Sequence, residues 1–184
     1  MDSGIVAARY ARALLKYSTE TGAADKVYGQ IRKLVSIASG MPSLKDAVLR
    51  HRELSPDKKI SLMESAVGEP LEDGLARFVM LVHSHRRMNL MLRIFLSFMQ
   101  QYRNENNVKA GTLVTAVPDE GLKEKMTALI SGRTGARVDM EMKTDPSIIG
   151  GFVLEMDGCR LDASAAGRLR AIRHELLDDG NRIV

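Results

Sequence analysis

Near residue 105 the apolar pattern changes its period, and this limits what the chain can fold into more than any other feature. Before that point apolar residues recur every three or four positions, as on amphipathic helices; after it they alternate, or run in short blocks bounded by Gly, Pro and Asp, as in strands. The two regimes meet in RNENNVKAG, Arg103 to Gly111, a polar, Asn-rich stretch that ends in Gly. A length of 184 residues suits one ordinary domain or two small ones. The change of period favours two: an α+β chain with an N-terminal six-helix bundle over 1–106, then a small C-terminal α/β domain over 107–184 with a β-hairpin and a terminal helix.

Breaking and capping residues divide the first half. Gly22 stops one helix, and SGMPSL, Ser39 to Leu44, stops the next with Pro42 just beyond. In LSPDKK, Ser55 stands as N-cap with Pro56 at the first helical position, and Pro70 in GEPLED does the same for a helix over 71–83. HRRMN, His85 to Asn89, separates that helix from another over 88–103, giving about six helices in all. The last contains LMLRIFLSFM, apolar on nearly every side apart from Arg93 and Ser97, and is expected at the bundle centre. Trp is absent and aromatics make up 4 % of the chain, so the core must rest on Leu, Ile, Val, Ala and 11 Met.

In the second half GTLVTAV reads as a strand, and PDEGLKEKMTALISGR as a helix opened by Pro118 or Asp119. ARVDMEMK alternates, with Val138, Met140 and Met142 on one face and Asp139, Glu141 and Lys143 on the other. FVLEM and CRLD are strands joined by Asp157-Gly158, a pair suited to a type I′ hairpin. A closing helix capped by Asp162 or Ser164 carries an apolar stripe, Ala165, Leu169, Ile172 and Leu176, expected to face the core. A unit of about 75 residues is near the lower limit for independent stability, so it is expected to lean on a partner.

Several functional classes find no support. Gly150-Gly151 could suggest a phosphate loop, but a strand follows instead of a helix and no Lys-Ser/Thr comes after it; packing glycines are the reading. His83 and His85 are two apart and point ~200° from each other on a helix, so they cannot chelate together. The single Cys159 cannot form an internal disulfide. No catalytic, cofactor or metal site is expected. MDSGIVAARYARALL does not read as a signal peptide, and the apolar stretch 89–99 is too short to span a bilayer, so membrane association is expected only through a complex. Up to Val108 there are 16 Lys/Arg against 11 Asp/Glu, a basic excess compatible with an acidic partner, a membrane surface or nucleic acid. RHRE and HSHRRM lack aromatic interleaving and read as solvated helix ends.

The first helix asks for a partner. At ~100° per residue, Arg9, Arg12, Lys16 and Glu20 share a narrow polar arc. The rest is apolar or small and divides into two faces: Val6, Tyr10, Ala13 and Tyr17 on one, Ala7, Ala8, Ala11, Leu14 and Leu15 on the other. That is more apolar surface than a bundle-surface helix needs, so one face is expected to meet something outside, unless the helix is wedged deeply between neighbours. On the helix over 71–83, Leu71, Leu75, Phe78 and Val82 form the core stripe, with Val79 and Met80 outside it. A groove between these two helices that accepts an amphipathic helix is an expectation consistent with helix-in-groove recognition.

Two stretches, ARYARALLKYS and DPSIIGGFVLEMDGCRLDASAAGRL, resemble the delta subunit family of bacterial F-type ATP synthases, whose mitochondrial counterpart is the oligomycin-sensitivity-conferring protein. The second is the more specific, with Gly150-Gly151, a strand, then Asp162-x-Ser164 before Gly167-Arg168-Leu169. The resemblance covers nearly the whole chain. It implies a non-catalytic stator subunit, peripheral on the cytoplasmic face of the bacterial plasma membrane. Such a subunit links the catalytic head to the stalk and resists rotor torque during proton-driven ATP synthesis. It also implies two partners: an alpha-subunit N-terminal helix on the helical domain and the C-terminal region of the b subunit on the second. By position the alpha site would comprise Val6, Ala7, Tyr10, Ala11, Leu14, Val79 and Met80. The b site would draw on Ile148 and Cys159, as exposed neighbours of the last helix, and on Leu169, Ile172 and Leu176. Gly150, Gly151, Asp162 and Ser164 would be structural. Other readings are a nucleic-acid-binding adaptor using the basic half and a small enzyme; salt-sensitive nucleic-acid binding or a deep polar pocket would mark them.

Overall fold

The computed structural model describes residues 3–40 and 55–180, with side chains placed as far as 175. The chain divides into two compact units, Met1–Glu105 and Asn106–Val184.

In the first unit, α1 (Ser3–Glu20), α2 (Ala24–Gly40), α3 (Pro56–Val67), α4 (Asp73–Ser84) and α5 (Met91–Glu105) are the described helices, with a 3-10 turn at Met88–Leu90 before α5. The stretch between the SGMPSL break and Ser55, to which the count of about six helices assigns one more, lies outside the described residues, as does the RHRE cluster. The chain reverses after α1 through Gly22, in the left-handed region at φ +68°. The Ser55 hydroxyl accepts from the Lys58 amide at 3.5 Å, with Pro56 in the first turn of α3.

Pro70 does not open α4. The cap is Glu72, whose carboxylate accepts from the Gly74 and Leu75 amides at 2.7 and 3.2 Å. A glutamate reaches both amides, while the loop before it is held by Gln30 of α2. The buried Gln30 amide donates to the Pro70 carbonyl at 2.9 Å, and its carbonyl accepts from the Glu72 amide at 2.9 Å. This tertiary clamp moves the helix start three residues past the proline.

Helix α5 packs mainly on α1 and then on α2. It buries Met91, Ile94, Phe95, Phe98, Met99 and Tyr102. It is not dry all round: Leu96 is 50 % exposed, and Arg93 and Gln100 face solvent. The ring of Tyr102 stacks on Tyr28 at 4.3 Å and its hydroxyl donates to Asp25.

The second unit contains β1 (Val108–Thr115), α6 (Glu120–Thr134), β2 (Arg137–Thr144), a 3-10 turn (Pro146–Ile148), β3 (Phe152–Met156), β4 (Cys159–Asp162) and α7 (Ala165–Gly180). The sheet order is β2-β1-β3-β4. β1 and β2 are parallel, connected through α6, and β3 returns antiparallel to β1 with Leu113 opposite both Met142 and Leu154. Asp119 caps α6 by accepting from the Leu122 amide at 2.9 Å. Asp157 and Gly158 sit at φ 50° and 80°, the two positive values a type I′ turn requires.

The dry core of this unit is small. It comprises Leu113, Ala136, Met140, Ile148 and Val153, and α6 buries no residue fully. The closing stripe does not face inward as expected: Leu169 is 58 % and Ile172 52 % exposed. Helix α7 packs chiefly on the 3-10 turn at Pro146–Ile148. Ile148 thus fills the buried position at the base of α7 and is not an exposed neighbour. The side chain of Leu176 lies outside the described residues.

The two glycines differ. Gly151 sits at φ +74°, and a Cβ there would run into the carbonyl oxygen of Ala163 and stand 3.3 Å from Ser164 Cα. Both are backbone, which cannot swing aside. Gly150 has an ordinary φ and open space where a Cβ would go; its carbonyl accepts from the Ala165 amide at 2.9 Å.

Candidate functional site

The two apolar faces of α1 have separate fates. Ala7, Ala11, Leu14 and Leu15 are buried in the bundle. The other face turns outward: Val6 and Tyr10 are half-buried, Ala13 is exposed, and Tyr17 is 42 % exposed. Small residues on the inner face let α5 approach closely enough for the Gln101 amide to reach the Ala8 carbonyl at 3.1 Å.

The outward face forms one wall of a groove of about 570 Å³. Arg9, Tyr10, Ala13, Leu14 and Tyr17 line it from α1. Gly74, Arg77, Phe78 and Leu81 line it from α4, with His85 just past that helix. The helices draw close at one end because Gly74 has no side chain: a Cβ there would collide with the Tyr17 ring. At the other end Tyr10 is held on three sides. Its ring meets Phe78 edge-on at 6.2 Å, and the Arg87 guanidinium lies 5.5 Å above it. Its hydroxyl is 2.8 Å from His85 Nδ1 and accepts from Arg87 Nη1 at 3.0 Å.

The floor is apolar and the charged lining is of one sign. Arg9 and Arg77 contribute to it, and no carboxylate among the described residues does. Such a trough, with a tyrosine fixed at one end and two helices as walls, has the shape and chemistry to take an amphipathic helix.

Tyr10 and Leu14 of the sequence-derived set line the groove. Ala7, Ala11 and Val79 do not: they are 2 %, 0 % and 0 % exposed, and serve the core. Val6 is half-buried outside the groove lining, and Met80 is exposed but also absent from it, with Leu81 in its place. At ~100° per residue, Met80 and Leu81 lie on opposite flanks of the Leu75–Phe78–Val79–Val82 stripe, and only the flank toward α1 forms a wall. Period alone could not say which flank that is. Ala13 and Tyr17 had a legible signal, since they share the face of Tyr10.

In the second unit Cys159, Leu169 and Ile172 are exposed, as is Leu161 of β4 at 54 %, which the pattern of the sequence did not single out. Around the start of α7, Asp162 accepts from the Ser164 amide at 2.9 Å and its hydroxyl at 2.5 Å. Ser164 Oγ in turn accepts from the Gly167 amide at 2.9 Å. Gly167 keeps this chain possible, because a Cβ would lie 2.8 Å from the Asp162 carboxylate. Hydrogen bonds from the Ser164 hydroxyl and then its amide hold the Asp162 carboxyl below its ordinary range, and Ser147 does the same for Asp145.

Among the described residues no helix is long and apolar enough to cross a membrane, and no three His, Cys, Asp or Glu are placed to share a metal ion.

Comparison with known proteins agrees across the full length. The family model described as "ATP synthase delta (OSCP) subunit" matches residues 6–176. "ATP synthase subunit delta" of Phocaeicola vulgatus is 33 % identical, with 100 % of both chains covered. The protein of the same description from Bacteroides fragilis is 34 % identical, again over 100 % of both. That from Lactobacillus acidophilus is 32 % identical, over 95 % of this chain and 96 % of its own. In fold, a chain of the Toxoplasma gondii mitochondrial ATP synthase hexamer, solved by cryo-EM, superposes with a TM-score of 0.60 at 20 % identity, covering 93 % of this chain and 97 % of that one. With a two-helix trough in the first unit and a match spanning both units, this chain belongs to the ATP synthase delta (OSCP) subunit family.

Proposed function

We propose that this chain is a non-catalytic stator subunit. Its first unit, a six-helix bundle, would bind an N-terminal helix of the alpha subunit, and its second would bind the C-terminal region of the b subunit. Together they would hold the catalytic head still against rotor torque while ATP is made. The observation that carries the first contact is the groove between α1 and α4, open to solvent although floored by Tyr10, Ala13, Tyr17, Phe78 and Leu81. A helix seated there would gain about 1.5–3 kcal/mol for each large apolar side chain it buries, offset by the cost of ordering.

For the second contact, the support is the exposed apolar surface of Leu161, Leu169 and Ile172 around a small dry core. A helix with a stripe on its outer side is suited to a second amphipathic helix. On this reading the protein is peripheral to the membrane at its cytoplasmic face and held there through the complex.

The test is calorimetric titration of the full chain with a synthetic peptide of the first ~20 residues of the cognate alpha subunit, alongside the Tyr10→Asp variant. One-to-one binding with a negative heat-capacity change, lost on substitution, is expected. A folded wild-type protein that binds no peptide would remove the groove from the proposal.

A further inference from the structure

The apolar floor of the groove can select a helix but cannot distinguish one apolar stripe from another. The rim can. At ~100° per residue Arg9 lies beside the Tyr10–Ala13–Tyr17 face on its solvent side, and Arg77 lies beyond Gly74 and Leu81 on the outer flank of α4. One guanidinium therefore stands on each wall, and both are exposed. Neither has a hydrogen-bond or ion-pair partner among the described residues. Nearby, Arg87 donates to the Tyr10 hydroxyl at 3.0 Å, and that hydroxyl lies 2.8 Å from His85 Nδ1. The nearby carboxylate of Glu72 accepts from the Gly74 and Leu75 amides and forms no ion pair with either arginine.

From this we infer that the groove selects its helix by charge: the occupant carries carboxylates on both flanks of its apolar stripe, one meeting Arg9 and the other Arg77. This rests on the reading of the groove as the site for the alpha-subunit helix. The two arginines act as specificity determinants. They favour the correct partner, speed its approach, and disfavour a basic amphipathic helix with an equally good stripe. Their exposure limits each pair to a few-fold in affinity and makes the effect sensitive to salt.

The experiment uses the full-length protein and two peptides: the ~20-residue alpha N-terminal peptide, and the same peptide with every Glu and Asp changed to Gln and Asn. Both are titrated against wild type and the Arg9→Gln/Arg77→Gln double variant at about 50 mM and about 500 mM salt. The expected result is roughly five- to twentyfold tighter binding of the acidic peptide to wild type at low salt, on the scale of two exposed ion pairs at reduced screening. That gap shrinks at high salt and closes in the double variant, while the neutral peptide binds both proteins alike. Equal affinity of the two peptides for wild type overturns the charge inference and leaves the helix site standing. A preference that survives the double substitution overturns the assignment to Arg9 and Arg77. Failure of both peptides to bind a folded protein overturns the groove reading and the inference together.

Discussion

Replacing Gly151 by alanine should cripple the second unit, while the same change at the adjacent Gly150 should be harmless. At φ +74° an L-residue costs about 1–2 kcal/mol relative to the right-handed region. The added Cβ must also displace the backbone at Ala163, since it would overlap that carbonyl. Two hydrogen bonds flank the point of collision, Ala163 amide to Phe152 carbonyl and Ala165 amide to Gly150 carbonyl, each at 2.9 Å. Losing both adds about 1 kcal/mol apiece. The total, about 3–4 kcal/mol, is most of what a unit of this size commands. Gly150→Ala meets nothing within 4 Å and should be neutral, or stabilising by up to about 1 kcal/mol through the unfolded chain. Hydrogen exchange read on β1 and β3 peptides is the assay: Gly151→Ala should cut protection by about two to three orders of magnitude, and Gly150→Ala should leave it unchanged or raise it by less than about tenfold. The four tyrosines all lie within Met1–Glu105, so their fluorescence in urea serves as an internal control that should not move. Equal effects of the two substitutions, or a silent Gly151→Ala, would refute the close-approach argument.

Three further outcomes follow from the same geometry. Gln30→Leu leaves the Pro70 carbonyl and the Glu72 amide without their partner, at a cost of about 2 kcal/mol, so the thermal midpoint followed by tyrosine fluorescence should fall by roughly 10 °C. Because the folded-state pKa values of Asp162 and Asp145 are depressed, their stabilisation is present above the unfolded value and lost as pH falls through the folded one. Acid titration of second-unit stability should show this loss below about pH 4, and Asp162→Asn should flatten it. Burial lowers the Lys59 pKa, so its cost holds below the folded value and is relieved as pH rises toward the unfolded one. Lys59→Met should therefore be more stable than wild type at neutral pH, with the gap in urea midpoint closing toward about pH 10.

Family membership says which assembly this protein serves; the groove says how one contact could be made and discriminated. Affinity and selectivity have different sources there. On the proposed reading, the floor would supply apolar burial that any suitable stripe could use, and the arginines at the rim would supply a preference.

Sequence alone determined the α+β class and the order of the described elements, because these depend on neighbours a few residues apart. The change of period near residue 105, the Ser55-Pro56 start, the Asp157-Gly158 hairpin and the Asp162–Ser164 cap are local chemistry, and each is present in the folded chain. The excess apolar surface of α1 was also legible, since it is a property of one helix. Tertiary structure alone decided which face of α1 turned inward, that Val79 joined the core while Leu81 joined the groove, and that Gln30 moved the start of α4 from Pro70 to Asp73. It likewise buried Ile148 and exposed Leu169 and Ile172. The reason is common to all of them. Periodicity gives the angle of a side chain about its own helix axis, but the direction of the core is set by elements distant in sequence.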